Sequence, residues 1–260
     1  MSSALDSYVS SAPSDQNALD IFRGQWSSRL PPPYESLTAG AIPLFEDPRV
    51  TWASDRLGGV RDKSVLELGP LEGGHSYMLE KAGAKSVLAL EANTNAFLRC
   101  LVTKEILGLQ RVRFLCGDFR QFLSSSQECF DIIFACGVLY HMMDPVQLLF
   151  DVSRHTRRLF LWTHYFESNL VSQNDAIGTC FAASEKREFQ GLTYEWHRYS
   201  YETAINCPRF CGGSAPFSGW LTRGSILEAL AHFGFRTLEI AYEQLDHQSG
   251  PCFAIAATQD

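Results

Sequence analysis

Basic residues are scarce in this chain. Lysine and arginine total 22 against 29 aspartates and glutamates, a net charge of −7. No lysine-rich stripe is present, so nothing pulls the molecule as a whole toward a nucleic-acid backbone. A long apolar run is missing too. No stretch approaches the roughly 20 residues that span a bilayer, and the opening "MSSALDSYVSSAPSDQNALD" is polar rather than a secretory leader. These absences predict a cytoplasmic protein with no membrane partner. A disulfide framework is also missing. The eight cysteines are scattered, several of them inside apolar runs such as "RFLCGDF" and "IIFACGV", which reads as reduced thiols. Cys207 and Cys211, in "CPRFC", have no second pair to complete a metal site, and no metal is expected.

What the chain does contain is a regular alternation. From residue 64, short apolar segments ("SVLELG", "SVLALEA", "VRFLCGD", "FDIIFACG", "RRLFLWTHY") alternate with helical ones ("GGHSYMLEKAG", "TNAFLRCLVTKEILGL", "FRQFLSS", "DPVQLLFDVSRH"). A helix in "TRGSILEALAHFG" and strands in "RTLEIAYEQL" and "CFAIAATQ" complete it. Such alternation predicts an α/β fold, a doubly wound, seven-stranded, mostly parallel sheet covered on both faces. Residues 1–60 read as a tail and helical lid: "NALDIFRGQW" has helical spacing, "SSRLPPPYES" breaks it, and "DPRVTWASDRL" starts a helix with Asp47 as cap. The remaining domain, 61–260, is interrupted at 166–220 by an aromatic, glycine-rich stretch. That is too long for a structureless loop, and it predicts an inserted cap.

Ligands of open parallel sheets bind at the carboxyl ends of the strands, where strand order reverses. The first such loop here is "ELGPLEGG". Its glycines allow close backbone approach. However, Leu71 stands where a Gly-x-Gly-x-x-Gly loop has its middle glycine, and Glu72 reads as sitting where a phosphate would lie. A ligand with an adenosine and a positive charge but no phosphate resolves that conflict, and S-adenosylmethionine carries a sulfonium, an ammonium and a ribose diol.

The chain resembles the class I S-adenosylmethionine-dependent methyltransferases, whose Rossmann-like fold matches the alternation. The likeness spans about residues 60 to 165. It implies that the loop Glu67, Gly69, Pro70 and Gly73 faces the cofactor, and that Glu91, with Ala92, ends the second strand at the ribose hydroxyls. It also implies that Gly117, Asp118 and Phe119 hold the adenine, and that the carbonyls of Cys136 and Gly137 meet the methionine ammonium. More narrowly, "GGHSYMLEKAGAKSVLALEANTNAFLRC" and "GVLYHMMDPVQLL" are similar to bacterial tRNA wobble-uridine carboxymethoxyl transferases, which use a carboxylated cofactor. Those proteins carry lysines before the first strand and an arginine near the end. Here the corresponding stretches are "RVTWASDRLGG" and "PCFAIAATQD", which favours ordinary methyl transfer over tRNA modification.

Candidate catalytic residues are His141 and Tyr140, which follow the fourth strand near the expected methyl group. Arg23 is expected to meet the methionine carboxylate and Trp26 to cover the adenosine. His164 and Tyr165 end the fifth strand, and Trp196, His197 and Arg198 lie in the cap. These five are expected to shape the substrate pocket, with Arg198 suggesting an anionic, small-molecule acceptor. Modification of tRNA is the enzymatic alternative, and a non-catalytic, cofactor-binding regulatory module is the alternative outside enzymology. Oligomeric state is not legible in the sequence.

Overall fold

The computed structural model describes residues 8–207 and 210–259. The first seven residues of the expected N-terminal tail therefore lie outside the described residues. The chain opens with α1 (Asp15–Asp20) and α2 (Pro48–Arg56). Helix α2 starts where its sequence demands: Pro48 occupies the first turn, and the Asp47 side chain accepts from the Arg49 N–H. Then β1 (Ser64–Leu68), α3 (Gly74–Lys81), β2 (Ser86–Glu91), α4 (Thr94–Leu107), β3 (Val112–Cys116), α5 (Phe119–Ser125), β4 (Ile132–Cys136), α6 (Pro145–His155) and β5 (Arg158–His164) alternate. The inserted region holds α7 (Ser168–Ser172), β6 (Phe181–Phe189), β7 (Leu192–Ser200) and β8 (Phe217–Leu221). After it come α8 (Arg223–His232), β9 (Thr237–Gln244) and β10 (Cys252–Thr258).

Seven strands form one sheet in the order β3-β2-β1-β4-β5-β10-β9, with β10 antiparallel to both of its neighbours. The chain order reverses between β1 and β4, which opens a crevice at their carboxyl ends. The β4 side chains before Cys136 are all buried, as a strand covered on both faces requires. The insertion is a three-stranded antiparallel sheet, β6-β7-β8. It is tied to the main body by the Gly219 N–H, which donates to the Met142 carbonyl at 2.7 Å.

Two apolar cores lie on the two faces of the sheet. On one, Leu139, Leu149 and Ile226 bury together with Tyr194 and Trp196 of the insertion. On the other, Leu19, Phe22, Trp26, Phe45 and Val50 of the N-terminal segment bury with Val65, Ile132 and Phe134. The N-terminal segment thus packs its apolar side chains into this core, while its Ser28, Ile42 and Leu44 line the crevice at the strand ends. Its anchor is Glu72, whose carboxylate accepts the Ser27 N–H at 2.8 Å and the Ser28 N–H at 2.7 Å. Arg99 Nε stands 3.3 Å from the same carboxylate.

Candidate active site

A cavity of about 600 Å³ occupies the crevice at the strand ends. Its floor is the loop after β1. Gly69 has φ +65, and a Cβ there would stand 2.7 Å from Val138 Cγ1, so the turn requires glycine. Pro70, Leu71, Gly74 and His75 continue the same wall. Glu67 and Gly73 do not line the cavity. Glu67 is buried beneath the loop and accepts from the Ser76 hydroxyl, with burial raising its carboxyl pKa. Gly73 caps α3 and faces Phe114.

Glu91 faces the cavity from the end of β2, and Ala92 follows it. One Glu91 oxygen accepts the Leu71 N–H at 3.1 Å and the other the Asn93 N–H at 2.8 Å. Burial raises its carboxyl pKa against the pull of those amides. Asp118 and Phe119 line the wall after β3, while Gly117 sits just outside it and donates its N–H to the Glu91 carbonyl at 2.9 Å. Asp118 also grips Arg120, whose Nη2 lies 2.6 Å away. Burial would raise the Asp118 pKa, but the bonds from Arg120 hold it below the usual carboxylate range. Cys136 and Gly137 complete the wall after β4.

Tyr140 and His141 both line the cavity. The Tyr140 ring packs edge-on against both Trp162 and His164, with centroids 6.1 and 4.7 Å away, and burial raises its phenol pKa well above the ordinary value. His141 Nδ1 lies 2.7 Å from the Tyr201 hydroxyl, and burial, helped by His164, lowers its pKa to about 3. His141 is therefore a neutral imidazole at any ordinary pH.

The expected lid contacts do not form. Arg23 is exposed and pairs with Asp20 on its own helical turn. Trp26 is buried in the core with its Nε1–H donating to the Leu19 carbonyl at 2.8 Å. In both cases local helix packing takes the side chain away from the cavity.

The five expected substrate residues also lie off the cavity wall. His164 is buried behind it, stacked on Trp220. Tyr165 points to the opposite face of the sheet, against Phe253 and Glu243, as the next residue of an extended chain must. Trp196 is core and donates to the Met143 carbonyl at 2.9 Å. His197 stacks on Phe166 at 3.6 Å. Arg198 is exposed and lies 4.1 Å over the Phe217 ring, so it supplies the cavity with no cation. The insertion reaches the cavity instead through residues 211–215. Gly213 packs so close that a Cβ would meet the His141 carbonyl oxygen at 2.4 Å.

The residues missed are mainly cationic. Arg49, in the first turn of α2, lines the cavity with its guanidinium 4.4 Å over the Trp162 ring. Asp47 holds it through bonds of 2.9 Å to Nε and 2.6 Å to Nη2, and also meets His75 Nε2 at 2.9 Å. Burial opposes charge on His75, yet Cys136, Asp47 and Glu67 raise its pKa to about 10. An arginine in the first turn of a helix, where the dipole disfavours a cation, was the available signal for Arg49. His247, in the turn before β10, also lines the cavity and carried no such signal.

Comparison with known proteins agrees with this architecture. Residues 66–158 match the family described as "Methyltransferase domain". A tRNA U34 carboxymethyltransferase of Marinobacter nauticus is 30% identical over 114 residues, covering 42% of this chain and 34% of the relative. One from Ectopseudomonas mendocina is 32% identical over 90 residues, covering 35% and 28%. The chain thus spans about a third of the length of these curated relatives. Among solved structures, the N-terminal domain of EvdMO1 with SAH bound superposes with a TM-score of 0.70 at 22% identity, covering 94% of each chain. Magnesium protoporphyrin IX methyltransferase from Synechocystis PCC 6803, also with bound SAH, gives 0.53 at 16% identity, covering 81% of this chain and 80% of that one. The sheet order and its strand-end cavity define a Rossmann-like methyltransferase fold. Residues 66–158 carry the methyltransferase-domain match, and the fold as a whole is shared with these SAH-bound structures.

Proposed function

We propose that the cavity binds S-adenosylmethionine and that the chain transfers its methyl group to a small-molecule acceptor. One observation carries this reading: Gly69, Glu91, Asp118 and Cys136, each just after a different one of the four strands around the reversal or at its end, line a single cavity. The cofactor fits the donor set. Glu91 offers carboxylate lone pairs for a ribose diol, Asp118 and Phe119 lie where an adenine would sit, and the carbonyls after β4 suit an ammonium. Arg49 and a protonated His75 supply the cation for the methionine carboxylate, the role first given to Arg23. When bound, the cofactor supplies a methyl carbon already activated for in-line displacement.

The protein's tasks are then alignment and exclusion of water. Tyr140, the Met142 and Met143 wall and the 211–215 strap enclose the acceptor side of the cavity. A volume of about 600 Å³ suits metabolite-sized ligands. His141 is too weak a base to hold a proton at neutral pH. Its role is to hydrogen-bond the acceptor at Nε2 while Nδ1 stays paired with the Tyr201 hydroxyl. With Arg198 outside the cavity, the reason for expecting an anionic acceptor is gone.

Transfer to a tRNA is the second reading, favoured by the names of the curated relatives. Incubation with methyl-labelled cofactor separates the two. Label is expected in the metabolite fraction of a cell extract. Specific, efficient labelling of purified tRNA would replace the small-molecule reading.

A further inference from the structure

One group of side chains beside the cavity has no part in the scheme above. His164 ends β5 and Cys252 begins β10, and the two are directly paired in the antiparallel register. Paired residues present their side chains on the same face, with Cβ atoms about 4.5–5.5 Å apart. His247, from the turn between β9 and β10, folds over them, its ring centroid 5.0 Å from that of His164. One ligand atom from each of His164, His247 and Cys252 lies within 4.8 Å of the other two.

The tautomer of His164 is fixed. Its Nδ1 lies 2.8 Å from the Gly250 carbonyl oxygen, which can only accept, so Nδ1 carries the proton and Nε2 a free lone pair. A carbonyl partner on the far nitrogen is how proteins orient a metal-binding imidazole.

We propose that His164, His247 and Cys252 form a binding site for a zinc-type divalent cation at the edge of the cavity. Two imidazoles and a thiolate suit a borderline-soft ion, whereas magnesium and calcium take oxygen ligands. Three protein ligands leave a fourth position. His247 lines the cavity, so that position faces an oxygen or nitrogen donor held there. This last point rests on the proposed function; the metal binding itself does not. Binding requires the Cys252 thiol to lose its proton. It also requires His247 Nδ1 to exchange the Ser249 N–H it accepts at 3.1 Å for a proton of its own. His247 is only half-buried and sits in a turn, which allows that rearrangement. The nearby cations, Arg49 and His75, share the one Asp47 carboxylate, so the metal would have one net positive charge beside it. A second group, Asp47, His75 and Cys136, is equally close-set, but its carboxylate is bonded to both Arg49 and His75, and it carries no such site.

The test is a cobalt(II) titration of the chelator-stripped full chain, without cofactor or acceptor. One equivalent is expected to bind, with a thiolate-to-cobalt band in the near ultraviolet that zinc(II) abolishes by displacement. Cys252→Ser should lose the band, and His247→Ala, in an accessible turn, should lose stoichiometric binding. Cys136→Ser and the double change Cys207→Ser/Cys211→Ser should keep the band. Circular dichroism and thermal unfolding check that each variant is folded. The site is refuted if the full chain binds no more cobalt than His247→Ala. It is equally refuted if the band survives Cys252→Ser or disappears with one of the other cysteines. Because no methyl transfer is read, failure of the proposed function leaves this result unaffected.

Discussion

Glu91→Gln is the sharpest probe of the cofactor reading. A carboxylate has about four lone-pair positions. At Glu91 the loop amides of Leu71 and Asn93 each bond one oxygen, with the Ala92 amide also near, and the lone pairs left over are the acceptors for a ribose diol. The glutamine amide keeps a single oxygen and turns an NH₂ group toward one of those backbone donors. The variant therefore loses one charged hydrogen bond to the ligand and faces a donor with a donor. A charged hydrogen bond is worth about 1.5–3 kcal/mol, so the dissociation constant for SAH should rise about 10- to 150-fold. Titration calorimetry measures it, with circular dichroism as the check on folding. Adenosine and its 2′,3′-dideoxy analogue close the cycle: the wild type should distinguish them by a wider margin than the variant, which keeps one acceptor oxygen. A folded variant that binds SAH within threefold of wild type would remove the ribose assignment.

Other expectations follow from the charges around the cavity. His75 has its pKa raised to about 10, so its stabilising contribution is fully present below the ordinary histidine pKa and is lost as pH rises through about 10. The stability gap between wild type and His75→Asn in urea should therefore narrow from pH 7 to 10, and a constant gap would refute the ion pair with Asp47. For His141→Asn, loss of an ordinary hydrogen bond predicts a fall in kcat of about 3- to 10-fold, whereas loss of a general base would cost about 10²–10⁴; a loss in that larger range would restore the base assignment. Between pH 5 and 8 the wild-type rate should show no step from His141, whose pKa is lowered to about 3. Glu72→Ala leaves Arg99 and two backbone N–H groups without their buried acceptor and should destabilise the fold by about 3–5 kcal/mol. A loss below 1 kcal/mol in denaturant would show that the N-terminal segment is held by its apolar residues alone.

The sheet was legible because its strands are short, apolar and separated by helix signals. Asp47 with Pro48 marks a helix start that the structure shows. The positions after β1 to β4 were legible for the same reason: in a parallel sheet, the residue ending a strand is placed by topology, whatever its neighbours do. Side chains placed by packing were not legible. Trp26 looked like a cover for the ligand because it follows an amphipathic turn, but the same pattern buries it against Phe22. In β7, "YEWHRYS" alternates with period two, and the sequence does not say which face meets the core. Trp196 was drawn into the apolar cluster with Tyr194, and Arg198, next on the same side, lies where that cluster ends.

The acidic first loop has a different explanation from the one its sequence suggests. Glu72 does not guard the ligand site, because Leu71 at φ +57 and Gly73 at φ +80 turn the chain so that Glu72 faces the N-terminal segment. Phosphate is disfavoured by another route. Leu71 N–H, an amide that could cradle a phosphate, is already bonded to Glu91. The cavity is thus polarised, with the Glu91 carboxylate facing in at the β2 end and the Arg49 and His75 cations at the far end. A pyrophosphate across the middle would lose a loop donor and lie close to a carboxylate. A ligand with a diol at one end, a cationic centre in the middle and a carboxylate at the other matches that field in the order of its groups. Glu67 and Glu72 contribute from beneath, by holding in place the turn that presents Leu71.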